Sequence, residues 1–203
     1  MIRLIVLALS STVLYALALP NEFFYFGVPF AGVFCFVPFI LSAYGADSVG
    51  KSRLIGFLFG FVSTLLIYFW LAFFRDFSVW TLSGTALAHG IWFLLFTPLI
   101  SWSGTKSSWV RPLVAAAGLT AYEYAKSIGF IGFPWGLAAY PFNNIPVLTQ
   151  IADITGVYGL SFLVFYANAL LAETFVFFWG IPGKGWLKEK SVRRKKDTEH
   201  LQY

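Results

Sequence analysis

Glu123 and Lys126 are the ionisable residues of this chain whose types and spacing suit them best for chemistry. They lie three positions apart near the end of an apolar run, so a helix places both side chains on one face. An ionised side chain at the centre of a membrane costs about 2.5–3.5 kcal/mol on insertion scales, and less near the surface. The two residues therefore form either an interfacial ion pair with the lysine reaching to water, or a pair that orients the following segment or a lipid head group.

The segment Gly132-Phe133-Pro134-Trp135 follows this pair and predicts the end of a helix. Proline has no backbone N–H and clashes with the preceding turn. Non-helical backbone at membrane depth is tolerated only where it contacts protein or lines a watery cavity. We therefore expect a cavity lined by Trp135 and Tyr140, which present apolar ring faces to acyl chains and polar tips to water. The simpler interpretation is an ordinary interfacial loop with aromatic anchors.

The elements that position these residues are predicted to be membrane-spanning helices. The chain is 59% hydrophobic and 11% charged, with 24 Phe and 8 Trp, which excludes a soluble globular domain. Its apolar residues form continuous blocks close to the ~20 residues that a helix needs to cross the hydrocarbon core, and continuous runs do not fit the alternating strands of a barrel. We predict an all-α integral membrane protein with about six transmembrane helices. The six blocks are Leu4–Leu19, Val28–Tyr44, Leu54–Phe74, Leu82–Trp102, Val110–Ala125 and Val157–Ile181.

The distribution of positive charge predicts the orientation of these helices. If the chain starts inside, 12 of the 14 Lys and Arg residues lie on the cytoplasmic side, in agreement with the positive-inside rule. Only Arg75 and Lys126 fall on the other side, so both termini are predicted to be cytoplasmic and the Gly132–Trp135 break to face outward. Residues 1–182 then form one polytopic membrane domain whose first helix is retained, and residues 183–203 form a basic cytoplasmic tail.

The remaining reactive side chains predict no catalytic or metal site. Cys35 is the single cysteine and lies in an apolar block, so it provides neither a disulfide nor a thiolate metal site and is interpreted as packing. His89 has no second ligand at metal-binding spacing and is interpreted as an interhelical histidine. Glu173 is expected to face the cations of the tail. The net charge of +5 comes from short loops and the tail, so no nucleic acid partner is predicted. No metal or cofactor is predicted either.

A longer pattern joins the candidate residues, in which Glu123 and Lys126 precede Gly132–Trp135 and Tyr140, and Gln150 and the run Thr155–Phe162 follow. This pattern resembles the membrane domain of bacterial apolipoprotein N-acyltransferases, specifically over residues 123–173 and in hydropathy over residues 1–182. The family usually has arginine where this chain has Lys126, and Gly-Trp where it has Ser127-Ile128. Arginine offers phosphate a planar fork and lysine only a point charge, so the difference weakens a role in binding a head group.

The resemblance implies a function in lipoprotein maturation. Members of that family move an acyl chain from a phospholipid to a cysteine thiol and then to the amino group of a diacylated lipoprotein, in the bacterial cytoplasmic (inner) membrane. The Glu, Lys and Cys that catalyse this transfer belong to a nitrilase-like domain, which these 203 residues do not contain. We therefore expect this chain to supply the lipid-side chamber, to have no catalytic residue and to be inactive alone. The implied substrate-binding residues are Glu123, Lys126, Gly132, Pro134, Trp135 and Tyr140.

Several explanations of that expectation stay open. The chain is half of a split enzyme whose partner is a separate nitrilase-like chain, a truncated gene product, or a relative repurposed as a membrane scaffold. A small transporter subunit is the alternative from another class. A transporter places broken helices or ionisable residues near the midplane of the membrane, whereas the break predicted here lies toward the outer face.

Overall fold

The computed structural model describes residues 1–73, 75, 78–129 and 132–182. Every regular element within these residues is a helix, which confirms the predicted all-α fold. Two short 3-10 helices span Phe69–Phe73 and Tyr140–Phe142. The predicted basic tail, residues 183–203, lies outside the described residues. The α-helices are α1 (Ile2–Ala18), α2 (Pro29–Gly32), α3 (Val37–Gly45), α4 (Val49–Ile67), α5 (Ser78–Ser103), α6 (Val110–Ser127) and α7 (Pro146–Trp179).

Several of these helices have the length and composition of membrane spans. Among the described residues, α4, α5 and α7 are long and apolar enough to cross a membrane, and α1 and the stretch Pro29–Gly45 are shorter apolar helices. α6 has 18 residues, but Arg111, Glu123 and Lys126 lower its hydropathy. Apolar helices of this length make the chain an α-helical membrane protein. The number of six crossings stays a prediction.

The second predicted block, Val28–Tyr44, is interrupted in the structure. α2 ends at Gly32, α3 begins at Val37, and a proline lies in the first turn of each helix. Proline suits the first turn because the N–H group there has no partner within the helix. The block therefore consists of two short helices joined by residues 33–36, which corrects the predicted continuous helix.

The helix α4 begins earlier than predicted and packs closely on α5. Ser48 precedes the helix in an extended conformation, and its hydroxyl oxygen accepts a hydrogen bond from the Lys51 backbone N–H at 3.3 Å, as an N-cap residue does. The helix therefore begins at Val49 rather than at Leu54. A Cβ atom at Gly60 would lie 2.5 Å from the backbone oxygen of His89, so the approach of α4 to α5 requires a residue without a side chain.

The helix α7 consists of two helical pieces that meet at Gly156. This residue has φ 71° and ψ 174°, a backbone conformation that glycine adopts far more readily than other residues. Residues 146–155 are exposed or half-buried, whereas the second piece, residues 157–179, contributes the buried residues of α7. The second piece corresponds to the predicted block Val157–Ile181.

Aromatic rings fill the centre of the helix bundle. Phe39 of α3 stacks on Phe59 of α4 with ring centroids 4.1 Å apart. Phe36, just before α3, contacts Phe165 of α7 at 4.8 Å, edge to face. Such pairs add to the stabilisation that burial of the rings supplies, and they fix how α3, α4 and α7 lie against one another.

The bundle has two ends of different composition. Tyr15, near the end of α1, and Tyr68, directly after α4, both contact the segment 132–142, and we call this the loop end. Met1, Pro182 and Lys51 at the start of α4 line one cavity at the opposite end, which we call the terminal end. Residues 1 and 182 thus lie at the same end of the bundle. This arrangement requires the chain to pass through the bundle an even number of times.

Candidate functional site

The last turn of α6 places two ionisable side chains inside the protein. Glu123 is 1% exposed and Lys126 is 4% exposed. The helix ends at Ser127, Ile128 is extended, and the backbone N–H of Phe133 donates to the Lys126 carbonyl oxygen at 2.7 Å. The chain therefore turns back over the end of α6, and the two buried side chains point toward the segment that follows.

Lys126 binds the main chain of the loop. Its Nζ donates to the carbonyl oxygen of Trp135 at 2.8 Å and to that of Gly136 at 3.4 Å. It also lies 5.4 Å from the centroid of the Tyr122 ring, a cation–π contact. Because the side chain is buried and its ammonium group contacts carbonyls, the interpretation as an interfacial lysine that reaches to water is wrong.

Glu123 binds the same loop two residues further on. Its Oε1 accepts a hydrogen bond from the backbone N–H of Ala138 at 2.7 Å. Its Oε2 and the buried hydroxyl of Ser161 both lack a partner of hydrogen-bond geometry within the described residues, although the two groups interact electrostatically. Glu123 and Lys126 form no direct ion pair. Each orients the loop separately, which is one of the two positioning roles that the sequence predicts; contact with a lipid head group stays a prediction.

Three tyrosine hydroxyls complete the anchoring of the loop. Tyr68 donates to the carbonyl oxygen of Trp135 at 2.6 Å, Tyr140 donates to that of Pro134 at 2.8 Å, and Tyr15 donates to that of Gly136. The carbonyl groups of three consecutive residues, 134–136, are thus all bound by side chains. Irregular backbone without a ladder partner must be satisfied in this way when it is buried. The segment 132–142 is therefore a fixed loop, and we refer to it as the anchored loop.

A small cavity lies among the side chains that bind the anchored loop. It has a volume of about 10 Å³ and is lined by Tyr15, Tyr68, His89, Glu123 and Lys126, among others. This volume is on the order of that needed for a single water molecule. At its edge the Tyr122 hydroxyl lies 3.3 Å from Nδ1 of His89, which joins α5 to α6, so His89 is an interhelical histidine as predicted.

The outer side of the anchored loop presents aromatic surface. Trp135 is 53% exposed although its carbonyl group is bound by two donors. Its ring packs on Trp70 at 5.0 Å and on Phe133 at 6.2 Å between centroids. Pro134 is also exposed, and Gly132 and Tyr140 are half-buried. The loop thus holds its main chain inward and its Pro134 and Trp135 side chains outward.

The sequence missed two of the residues that anchor this loop. Tyr15 and Tyr68 lie 121 and 67 residues before their partners in the chain. Tyrosine is frequent throughout this sequence, and a hydroxyl that binds a backbone carbonyl has no spacing pattern of its own. Only the folded arrangement of α1 and α4 shows the role of these two residues.

Side chains elsewhere in the described residues offer no nucleophile or metal site at this end. Cys35 is fully buried, and its Sγ lies 3.7 Å from the carbonyl oxygen of Gly32, so it is inaccessible to a substrate. No group of three or more His, Cys, Asp or Glu residues that could hold a metal ion exists in the described part of the chain. Glu173, expected to face the tail, instead accepts a hydrogen bond from Arg111 Nη2 at 2.8 Å.

Comparison with known proteins agrees with the resemblance of the sequence. A family model of the apolipoprotein N-acyltransferase N-terminal domain matches residues 11–170. The chain is 39% identical over 166 residues to apolipoprotein N-acyltransferase 2 of Treponema denticola, which covers 80% of this chain and 31% of that protein. It is 34% identical over 173 residues to apolipoprotein N-acyltransferase of Borreliella burgdorferi, with 84% and 33% covered.

The chain spans about a third of the length of the curated relatives it matches. Apolipoprotein N-acyltransferase 2 of Treponema pallidum, 35% identical over 176 residues, is covered to 30% of its length. The matched residues 11–170 include Tyr15, Tyr68, both buried ionisable residues of α6 and the whole anchored loop. This chain belongs to the apolipoprotein N-acyltransferase family, and it corresponds to the N-terminal domain of that family.

Proposed function

We propose that this chain forms the lipid-side part of an enzyme that transfers an acyl chain from a phospholipid to a diacylated lipoprotein. One observation carries the proposal: buried side chains hold the main chain of the anchored loop while the ring of Trp135 stays 53% exposed. A fixed aromatic ring binds an acyl chain without a large loss of its own conformational entropy. The reaction class comes from the matched relatives, which are named apolipoprotein N-acyltransferases.

The residues of the loop divide into two roles under this proposal. Pro134, Trp135 and Tyr140 contact acyl chains, because their side chains are exposed or half-buried at the surface of the loop. Gly132 shapes the loop itself, because a Cβ at this half-buried position would lie 2.6 Å from the backbone oxygen of Ser127. Glu123 and Lys126 support the loop from inside, since both are buried and bound to main-chain atoms.

The covalent steps are assigned to residues outside this chain. Acyl transfer through a thioester needs a thiol that reaches both the phospholipid ester and the amino group of the lipoprotein. Cys35 is fully buried, and the polar groups of Glu123 and Lys126 are directed at the loop backbone. A thiol outside these 203 residues, for example in a nitrilase-like domain or a separate nitrilase-like chain, therefore forms the thioester, and this chain alone is inactive.

We also propose an orientation in the bacterial cytoplasmic membrane, on the basis of the distribution of positive charge. The terminal end includes Arg3, Lys51 and Arg53 and leads into the basic residues 183–203, whereas Lys126 at the loop end is internal. Positive charge is retained on the cytoplasmic side. The terminal end is therefore placed in the cytoplasm and the anchored loop at the outer face, where lipoproteins are matured.

Photocrosslinking from position 135 tests the proposed chamber. A photoreactive phenylalanine analogue replaces Trp135 or, as a matched control, Trp102, which is 52% exposed at the terminal end. In phospholipid vesicles both positions are expected to crosslink to lipid. Excess diacylated lipopeptide should suppress the lipid crosslink at position 135 by about tenfold, the occupancy expected near ten times its Kd, and leave the crosslink at position 102 unchanged.

Two outcomes would contradict the proposal. If the competitor changes neither crosslink, the anchored loop is an interfacial loop without a chamber for acyl chains. The same vesicles contain phospholipid and lipopeptide, so mass spectrometry of the lipopeptide also tests activity. We expect no triacylated product from this chain alone; a product, or an acyl thioester on Cys35, contradicts the assignment of the covalent steps to other residues.

A further inference from the structure

A second, larger cavity lies at the terminal end of the bundle. It has a volume of about 850 Å³, within the range of about 300–1,000 Å³ that ligand sites occupy. It lies between the start of α1, the end of α3, the start of α4 and the end of α7. The anchored loop contributes none of its lining, so the two sites are separated by the length of the bundle.

The walls of this terminal cavity are apolar and open on one side. Leu4 and Leu41 are buried and form its inner wall. Phe175 and Trp179, on the last turns of α7, are 46% and 53% exposed, so this wall faces the surroundings of the bundle. In a membrane these surroundings are acyl chains and the adjoining interface. The cavity is therefore accessible to an amphiphile from the side.

The rim of the cavity is charged, and its charge is positive. Lys51 Nζ binds Asp47 Oδ2 at 2.8 Å, with both side chains about half exposed. This hydrogen bond holds the pKa of Asp47 below its usual value, so the carboxylate is ionised at neutral pH. Arg3 lines the same cavity and has no hydrogen bond or ion pair within the described residues. One guanidinium group thus remains available to an anion.

The basic segment of residues 183–203 does not suit the terminal cavity as a ligand. Pro182 lines the cavity, and its carbonyl oxygen packs so closely on Gly45 that a Cβ at Gly45 would lie 2.1 Å away. Residues 183–203 contain seven Lys or Arg and three Asp or Glu. Like charges repel this segment from Arg3, while a basic segment is attracted to an anionic lipid surface.

We propose that the terminal cavity binds one anionic phospholipid, with its phosphodiester near Arg3 and its acyl chains against Leu4, Leu41, Phe175 and Trp179. Basic pockets between transmembrane helices on the cytoplasmic side bind such head groups. The lipid is a bound component at the terminal end, distinct from the acyl donor at the anchored loop. This inference rests on the proposed function only for placing the terminal end in the cytoplasmic leaflet.

Native mass spectrometry of the purified chain tests this inference. The chain is extracted from vesicles that contain equal amounts of phosphatidylglycerol and phosphatidylcholine, and the retained lipid is identified. Wild type should retain phosphatidylglycerol in preference to phosphatidylcholine. Arg3→Gln should lower phosphatidylglycerol retention about fivefold, the effect of one cation near a lipid head group. The matched control, Arg53→Gln, removes an exposed cation of the same end that does not line the cavity, and should change nothing.

A second variant tests the apolar part of the cavity. Leu41→Trp fills the space beside the buried inner wall and should lower retention of the lipid as a whole, while thermal unfolding shows whether this variant is folded. Millimolar inorganic phosphate should not displace the lipid, because phosphate has no acyl chain. Equal retention of the two phospholipids, equal effects of Arg3→Gln and Arg53→Gln, or displacement by phosphate would each overturn the inference.

The two proposals fail independently. Arg3→Gln should leave the competition between lipopeptide and lipid at position 135 unchanged, because no residue of the anchored loop lines the terminal cavity. If position 135 shows no competition while Arg3→Gln still lowers retention, the acyl-chain chamber is wrong and the terminal lipid site stands. If position 135 shows competition while Arg3→Gln leaves lipid retention unchanged, the terminal lipid site is wrong and the acyl-chain chamber stands.

Discussion

Lys126 and Glu123 are buried charges that act on the backbone of a loop. Each is within a few per cent of complete burial, and each binds a main-chain atom at 2.7–2.8 Å. A buried charge is tolerated when hydrogen bonds and an opposite charge compensate for lost hydration. Here the compensation is shared among loop carbonyls, a backbone N–H and the electrostatic attraction between the two side chains.

Removing both of these charges should destabilise the protein less than the sum of the two single removals. Lys126→Met leaves the Glu123 carboxylate uncompensated, and we expect a loss of about 3–5 kcal/mol in the free energy of unfolding. Glu123→Gln keeps an acceptor for Ala138 but leaves the ammonium group uncompensated. The double variant should recover about 0.5–3 kcal/mol relative to the sum of the single losses.

Unfolding by denaturant in mixed micelles measures these differences. Lys106→Met is the matched control, because Lys106 is exposed outside the bundle core, and its loss should stay within about 0.5 kcal/mol. Strictly additive losses from Lys126→Met and Glu123→Gln would show that the two charges do not stabilise each other.

The sequence predicts part of this site at the level of residues. Glu123 and Lys126 are recognisable because charged residues are rare in apolar helices. Pro134 and Trp135 are recognisable because they follow at a spacing typical of the family. The side chain of Lys126 points inward rather than toward water and binds two carbonyl oxygens. Neither fact follows from the spacing of residues in the sequence, because both depend on how α6 packs.

At the scale of elements, the interrupted helix pair α2–α3 is stabilised by a distant asparagine. Asn168 of α7 donates to the carbonyl oxygen of Gly32 at 3.0 Å and accepts from the backbone N–H of Phe36 at 2.9 Å. Ser11 of α1 also donates to the Cys35 carbonyl oxygen. Non-helical backbone inside a membrane protein needs such partners because no water is available to it.

Asn168→Leu should therefore destabilise the bundle strongly. The change leaves the buried Phe36 N–H group without a partner and leaves the Gly32 carbonyl oxygen with only the weak thiol donor of Cys35 at 3.7 Å. A fully unpaired group costs about 1–3 kcal/mol, so we expect a loss of about 2–5 kcal/mol. Thermal unfolding in detergent, followed by circular dichroism, measures the loss. Asn144→Leu, at an exposed loop position, is the control and should be close to neutral. A similar small effect of both changes would mean that the interruption does not depend on Asn168.

The close contact between α4 and α5 predicts that a larger side chain in place of a glycine of α4 destabilises the bundle. Gly56 and Gly60 lie one turn apart on α4, and a Cβ at either would lie within 2.5 Å of an atom of α5. Gly60→Val should cost about 1–3 kcal/mol through overpacking, measured by denaturant unfolding. Gly84→Ala is the control in α5, where a Cβ meets open space, and should stabilise by up to about 1 kcal/mol. Tolerance of Gly60→Val would contradict the close packing.

Hydropathy predicts the helices here, but not where they are interrupted. The blocks beginning at Leu82 and Val110 differ from α5 and α6 by a few residues at their ends. The interruption after Gly32 was missed because its stabilising partner, Asn168, lies 136 residues away in the chain. Capping at Ser48 is a local signal, and it explains why α4 begins before the apolar block does.

At the scale of the whole molecule, the chain returns to the end from which it starts. Met1 and Pro182 line one cavity, and the anchored loop lies at the other end. The sequence predicts the same arrangement from its cations alone. The separation of the two ends then implies that each faces a different compartment when the bundle crosses a membrane.

Reporter fusions test this topology. A reporter active only in the cytoplasm, fused after Tyr203, should be active, and the same reporter inserted at the exposed Asn143 should be inactive. A reporter active only outside the cytoplasm should give the opposite pair of results. The same compartment for both positions would contradict a bundle whose two ends face different sides of the membrane.

The hydrogen bonds that Tyr15, Tyr68, Glu123 and Lys126 form with the anchored loop all go to its main-chain atoms. These hydrogen bonds fix the conformation of the loop, and they do not depend on which side chains the loop directs outward. A lineage can replace Pro134 or Trp135 one mutation at a time and keep the same scaffold. If these side chains contact acyl chains as proposed, preference for one acyl chain or another can diverge between species while the main-chain hydrogen bonds of the loop stay intact.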